Sequence, residues 1–184
     1  SQAGFEVTLV GRQRKTSVQL DTKPFNQVRL NLAAESGKAF YASLNLKLLR
    51  YLLRHPFDAV CAVDLDTLLP AYLAAKMKGQ KLVYDAHEYF PEVPELINRT
   101  FEQGIWRRLE KWLVPKVHAA YTVSEGIAGI FQKAYQQHFE VVMNAPLLKK
   151  EEVSQPEGRE QFLLYQGALN KGRGLEAIIM TMAF

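Results

Sequence analysis

The run Lys81-Leu-Val-Tyr-Asp85, with the residues behind it as far as Glu95, constrains the fold more than any other part of the chain. A short apolar run bounded by polar residues is the pattern of a buried strand in a parallel sheet covered on both faces. The strand cannot continue. Asp85, His87, Glu88 and Glu92 crowd behind it, Pro91 and Pro94 remove backbone donors, and no helical period returns before Thr100. The segment therefore reads as a strand that stops and delivers titratable side chains into a loop. In open α/β sheets, ligands bind in the crevice beyond the carboxyl ends of the strands, so chemistry belongs at this loop. A plain strand-to-helix connection has the same pattern, and the loop alone leaves both readings open.

Strands and helices alternate on either side of it. Phe5–Val10 is a strand candidate followed by a turn over Gly11–Lys15, and Val28, Leu30 and Leu32 alternate as a half-exposed second strand. From Lys38 to Arg54, Phe40, Leu44, Leu48 and Leu52 recur every fourth residue, predicting a helix with one face on a sheet and a stop at His55-Pro56. Asp58–Val63 is a third strand ending in acid at Asp64 and Asp66. Asp66 is placed to cap a helix over Thr67–Lys78 that closes at Gly79. Beyond the central loop, Thr100-Phe-Glu-Gln103 matches a capping box for a helix reaching about Val114. A strand at Ala119–Val123, a helix over Glu125–Gln137 capped by Ser124, and a strand at Phe139–Met143 follow. Lys149–Glu160 is charged and carries Pro156 and Gly158, the composition of a linker. A fresh strand at Gln161–Gln166 then turns through Gly167–Gly174 into an apolar helix at Leu175. Such alternation means crossover units: an α/β fold with a Rossmann-like parallel sheet and helices on both faces. The boundaries predicted are a domain over residues 1–148, a linker over 149–160, and the start of a second domain over 161–184. Ser1–Phe5 reads as the last residues of a helix, a stop at Gly4 and the start of a strand, and Met180–Phe184 lies inside a helix without a stop signal, so the pattern is that of a fold cut at both ends.

Composition narrows the function classes. The 184 residues carry a formal net charge of +4, with basic residues scattered except around Trp106–Lys116, which does not indicate a dedicated nucleic-acid binder. The single cysteine, Cys61, excludes a disulfide framework and a thiol metal cluster and fits a reducing compartment. No apolar stretch spans a bilayer and no signal-peptide pattern opens the chain, so the expected location is cytoplasmic. Ile105–Leu113 mixes Trp106 and Trp112 with Arg107, Arg108 and Lys111. It reads either as a membrane-surface helix, peripheral at the inner face, or as an ordinary amphipathic helix with Ile105, Leu109 and Leu113 toward the sheet.

With these elements placed, the chain resembles the amino-terminal half of a retaining GT-B glycosyltransferase of family 4. The motifs that carry the resemblance are Asp64-Leu-Asp-Thr-Leu-Leu69, Val83-Tyr-Asp-Ala-His-Glu88, Thr122-Val-Ser-Glu125, Val142-Met-Asn144 before a proline, and Tyr165-Gln-Gly167 with Arg173-Gly174-Leu175. It implies two Rossmann-like domains facing across a cleft. The acceptor would be held by the first, and a nucleoside diphosphate sugar by the second. His87 matches the family's histidine at the cleft, where imidazole can accept or donate a hydrogen bond near neutral pH. Asp64 matches its strand-end acid, and Asp85 and Glu88 are further substrate-side candidates. Gly167 matches the glycine that lets the backbone approach the diphosphate, and Gly174 opens a helix amino-terminus that favours phosphate. Arg173 falls where the family usually has Lys, and Ala168 where many members carry a second phosphate-binding Arg. The resemblance implies transfer to a saccharide or lipid-linked acceptor, no metal and no cofactor beyond the donor, and an inactive fragment when this chain stands alone. A sugar-nucleotide epimerase of the same architecture and a non-catalytic Rossmann-like binding domain are the competing readings.

Overall fold

A computed structural model of the chain describes residues 3–96, 98–146, 163–167, 169 and 174–182. The strands are β1 (Thr8–Gln13), β2 (Asn26–Asn31), β3 (Ala59–Val63), β4 (Lys81–Ala86), β5 (Ala119–Thr122) and β6 (Glu140–Val141). The helices are α1 (Gly37–Arg54), α2 (Leu65–Lys78), α3 (Thr100–Leu113), α4 (Glu125–Tyr135) and α5 (Leu175–Thr181). Every strand pairing is parallel. The fold is mixed α/β with parallel sheets flanked by helices, the Rossmann-like class that the alternation predicts.

The ladders fall into two sheets, β1-β2 and β3-β4-β5-β6, where the alternation had suggested one. In the larger sheet, Ala62 pairs with Tyr84 and Tyr84 with Ala120, so these residues share a face; Leu82, Ala86 and Thr122 lie on it too. All six are buried, and with Leu65, Leu68, Leu113 and Phe131 they form the core. The opposite face is more open: Cys61 and Val63 are exposed, and Val83 and Tyr121 half-buried. Coverage of the β4 run is thus unequal on its two sides.

Several element boundaries shift for identifiable reasons. β1 lies three residues later than the apolar run suggested, because Gly11–Gln13 pair with Arg29–Asn31 while Phe5 and Val7 stay 70% and 45% exposed. α1, whose buried residues are Phe40, Leu44 and Leu52, packs mainly on α2 rather than on a sheet, and α2 in turn packs on β3 and β4. α2 begins at Leu65, which moves Asp66 from the cap into the first turn. Gly79 closes α2 in the left-handed region (φ 67°), as a helix-ending glycine does. The capping box at Thr100 does not form. Arg99 holds the cap position, and Gln103 Nε2 donates instead to the Pro91 carbonyl at 2.9 Å. Ser124 caps α4 as expected, its Oγ accepting from the Ile127 N–H at 3.3 Å. On α3, Leu113 is buried and Leu109 packs on the core, but Ile105 points outward, 39% exposed.

The linker expected at 149–160 lies outside the described residues. Leu163–Gln166 form no strand, because a strand needs a ladder partner and none is paired with them among the described residues. α5 follows Gly174 (φ 73°) where the helix at Leu175 was expected.

Candidate functional site

The four strands of the larger sheet run the same way, so their carboxyl ends deliver Asp64, His87, Ser124 and Asn144 to one edge. The backbone around His87 is fixed from two sides. The Asp64 N–H donates to the Asp85 carbonyl at 2.9 Å, and Asp64 Oδ1 accepts from the His87 N–H at 3.1 Å. From β5, the buried Thr122 hydroxyl donates to the Ala86 carbonyl at 2.6 Å.

The His87 ring is held at both nitrogens. Asn144 Nδ2 lies 3.0 Å from Nδ1, and Asp85 Oδ2 lies 3.0 Å from Nε2. An amide nitrogen only donates, so Nδ1 accepts, and the ring proton sits on Nε2 and is donated to the Asp85 carboxylate. One tautomer satisfies both contacts. Asp85 is buried, and its other oxygen, Oδ1, has no hydrogen-bond partner among the described residues.

Asp64 adopts φ 59° and ψ 167°, a region used almost only by glycine. A non-glycine residue there stores strain of roughly 1–3 kcal/mol, and such strain gathers at functional sites. Burial raises the Asp64 carboxyl above its ordinary range; the His87 N–H and ring oppose this, and the Asp85 charge adds to it. Asp66 is pushed up to about 6, first by burial and then by the charges of Asp64 and Glu88. On the open face, the Cys61 thiol lies 3.6 Å from the Tyr121 hydroxyl, and burial raises both groups.

Of the residues marked in the sequence, His87, Asp64 and Asp85 converge in one hydrogen-bonded set. Glu88 is exposed at the next position, where its charge reaches Asp66. Gly167 (φ 158°) and Gly174 (φ 73°) stand in the 163–182 segment, while Arg173 lies outside the described residues, so the expected diphosphate set is incomplete among them. A Cβ at Gly167 would meet Tyr165 Oη at 2.9 Å, the end of a flexible side chain. Sequence reasoning missed Asn144 and Thr122 as parts of this site. The signal for Asn144 was present: a polar residue shortly after an apolar run and just before Ala145-Pro146.

What the set can do follows from its donors and acceptors. Carboxylates accept hydrogen bonds from hydroxyl groups, and a neutral imidazole can orient or exchange one proton near pH 7. Among the described residues, no group of three or more His, Cys, Asp or Glu is arranged to hold a metal ion. A family model described as Glycosyltransferase Family 4 matches residues 1–145, a span that contains the whole set. No curated protein matches the chain.

Proposed function

The chain belongs to glycosyltransferase family 4, and from that premise we propose that it is the acceptor side of a retaining, two-domain GT-B enzyme. The reaction moves a sugar from a nucleoside diphosphate donor to a saccharide or lipid-linked acceptor. The observation that carries this reading is the ring of His87 held between Asp85 and Asn144 at the carboxyl edge of a parallel sheet, beside the strained Asp64. Asp64 and Glu88 supply acceptors for substrate hydroxyls, Asp85 holds the His87 ring, and His87 positions the reacting hydroxyl by exchanging its Asn144 contact for it. Orientation is the protein's contribution here, since holding reactants in line can supply several kcal/mol of a barrier. Residues 161–184 begin the donor-binding domain, with Gly167, Arg173 and Gly174 at the diphosphate. A peripheral contact with an anionic lipid surface belongs to the same reading, supported by Phe101, Ile105 and Trp112, which are exposed on α3.

The test is nucleotide release from a panel of nucleotide sugars, with and without acceptors, by a chain extended through a donor-binding domain. Acceptor-stimulated release should fall at least about 100-fold in His87→Ala, the scale of a misplaced reactant. The product anomer, read by NMR, should match the donor's. Release that ignores His87 would overturn the assignment.

A further inference from the structure

The two-stranded sheet has a cavity at each end, and the two differ in charge rather than size. At the amino ends of β1 and β2, residues 4–7 and 23–26 line an open hollow of about 470 Å³. At the carboxyl ends, residues 12–15 and 31–35 line an open hollow of about 490 Å³. In the first cavity, Glu6 and Lys23 cancel. In the second, Arg12, Arg14 and Lys15 face a single acid, Glu35, which leaves two net positive charges.

The walls of the second cavity are fixed, and its cations are left over. The Ala33 N–H donates to Ser43 Oγ at 3.0 Å, Lys47 Nζ donates to the Asn31 carbonyl, and the Arg14 N–H donates to Ser17 Oγ at 2.9 Å. Arg12 is pinned by one nitrogen, Nη1, to the Glu35 carbonyl at 3.1 Å, with its guanidinium 4.7 Å from the centre of the Phe40 ring. None of the three cations forms a salt bridge among the described residues. A pre-positioned guanidinium with spare N–H donors is suited to bind a planar or tetrahedral oxyanion in fork geometry. Two net charges match a phosphate monoester, which carries about −1.5 to −2 at pH 7.

The position is also that of a ligand site. Residues 12–15 and 31–35 lie at the carboxyl ends of two parallel strands, the edge at which parallel α/β sheets bind ligands, and α1 follows directly. We infer that the cavity lined by Arg12, Arg14 and Lys15 binds a phosphate group, and that this phosphate is carried by the acceptor. The acceptor assignment rests on the transferase reading; the phosphate binding does not.

The experiment titrates inorganic phosphate into the full chain at fixed ionic strength, followed by calorimetry. Binding should saturate, weaken at least tenfold in the double variant Arg14→Gln/Lys15→Gln, and hold its strength in Lys23→Gln at the opposite cavity. Arg12→Lys keeps the charge but loses the fork, and should also weaken binding. Binding that fails to saturate, or that is equal in the double variant and Lys23→Gln, overturns the site. Competition separates the sources: displacement by a soluble sugar phosphate marks a free acceptor, and displacement only by phosphatidic acid vesicles marks a lipid headgroup. Saturable phosphate binding without transfer to any phosphorylated acceptor would remove the acceptor assignment alone. His87-dependent transfer that tolerates Arg14→Gln/Lys15→Gln, with no phosphate bound, would remove this inference and leave the transferase reading standing.

Discussion

Glu110 is a carboxylate with no exposed surface, on the inner side of α3. Its Oε2 accepts from the Tyr135 hydroxyl at 2.5 Å, while among the described residues its Oε1 has no hydrogen-bond partner, and neither has the buried hydroxyl of Tyr84. Burial pushes the Glu110 carboxyl up from 4.5 to about 7; Tyr135 and Arg107 oppose the rise and Glu92 adds to it. Because the folded value lies above the unfolded one, the native state holds the proton more tightly between them. The stability this contributes is complete below about pH 4.5 and lost as pH rises through about 7. Glu110→Gln should therefore flatten that decline by roughly 1–3 kcal/mol, seen as denaturant midpoints that differ at pH 8 but little at pH 5. An unchanged pH slope would count against a buried, proton-holding Glu110. Individual residues were legible where the chain announces them by position. His87 and Asp85 follow an apolar run and stop it, which marked the loop, and the resemblance to the family singled out His87. Asn144 needed the register of β6 beside β5 before it could be placed against His87. Glu110 looked like an ordinary charge on a basic, aromatic helix, and only packing against α4 shows otherwise.

Pro70 sits inside α2 and lacks the N–H that would bond the Asp66 carbonyl. That carbonyl finds another donor. The side-chain amide of Asn45, on α1, reaches it at 3.0 Å and also donates to the Tyr41 carbonyl at 2.9 Å. One side chain thus replaces the missing helical bond and joins two helices. Asn45→Ala should cost about 1 kcal/mol in urea unfolding, the scale of one buried hydrogen bond. In a Pro70→Ala background, where the restored backbone N–H can donate to the Asp66 carbonyl, the cost should be less than half as large; equal costs in both backgrounds would refute the replacement. At this scale, helical period carried α1, caps and stops carried α2 and α4, and the stops at His55 and Gly79 held because their backbone chemistry is local. β1 was misplaced because its apolar residues face water, so pattern and burial part company there. The capping box at Thr100 failed because Gln103 is drawn across to the Pro91 carbonyl, a contact separated from it in sequence.

At the scale of the whole molecule, Phe101, Ile105 and Trp112 form one outward row on α3 with Arg108 between them, at spacings of four, three and four. They are 67%, 39% and 46% exposed. Lys38, from α1, lies 5.4 Å from the centre of the Phe101 ring, and Lys116 lies 5.4 Å from that of Trp112. An apolar row flanked by cations suits an anionic membrane surface. The chain should sediment with vesicles containing anionic lipid, bind neutral ones far more weakly, and lose several-fold affinity in Trp112→Ser without unfolding. Equal binding by that variant would remove α3 from any membrane role. The α/β class was readable from the alternation, because each element's period is written in consecutive residues. The division into two sheets was not, since parallel neighbours are chosen across long sequence separations. The order β3-β4-β5-β6 follows the order of the chain. As the polypeptide leaves the ribosome, each new strand can therefore dock on the free edge of the last, and none has to be inserted between two that have already paired.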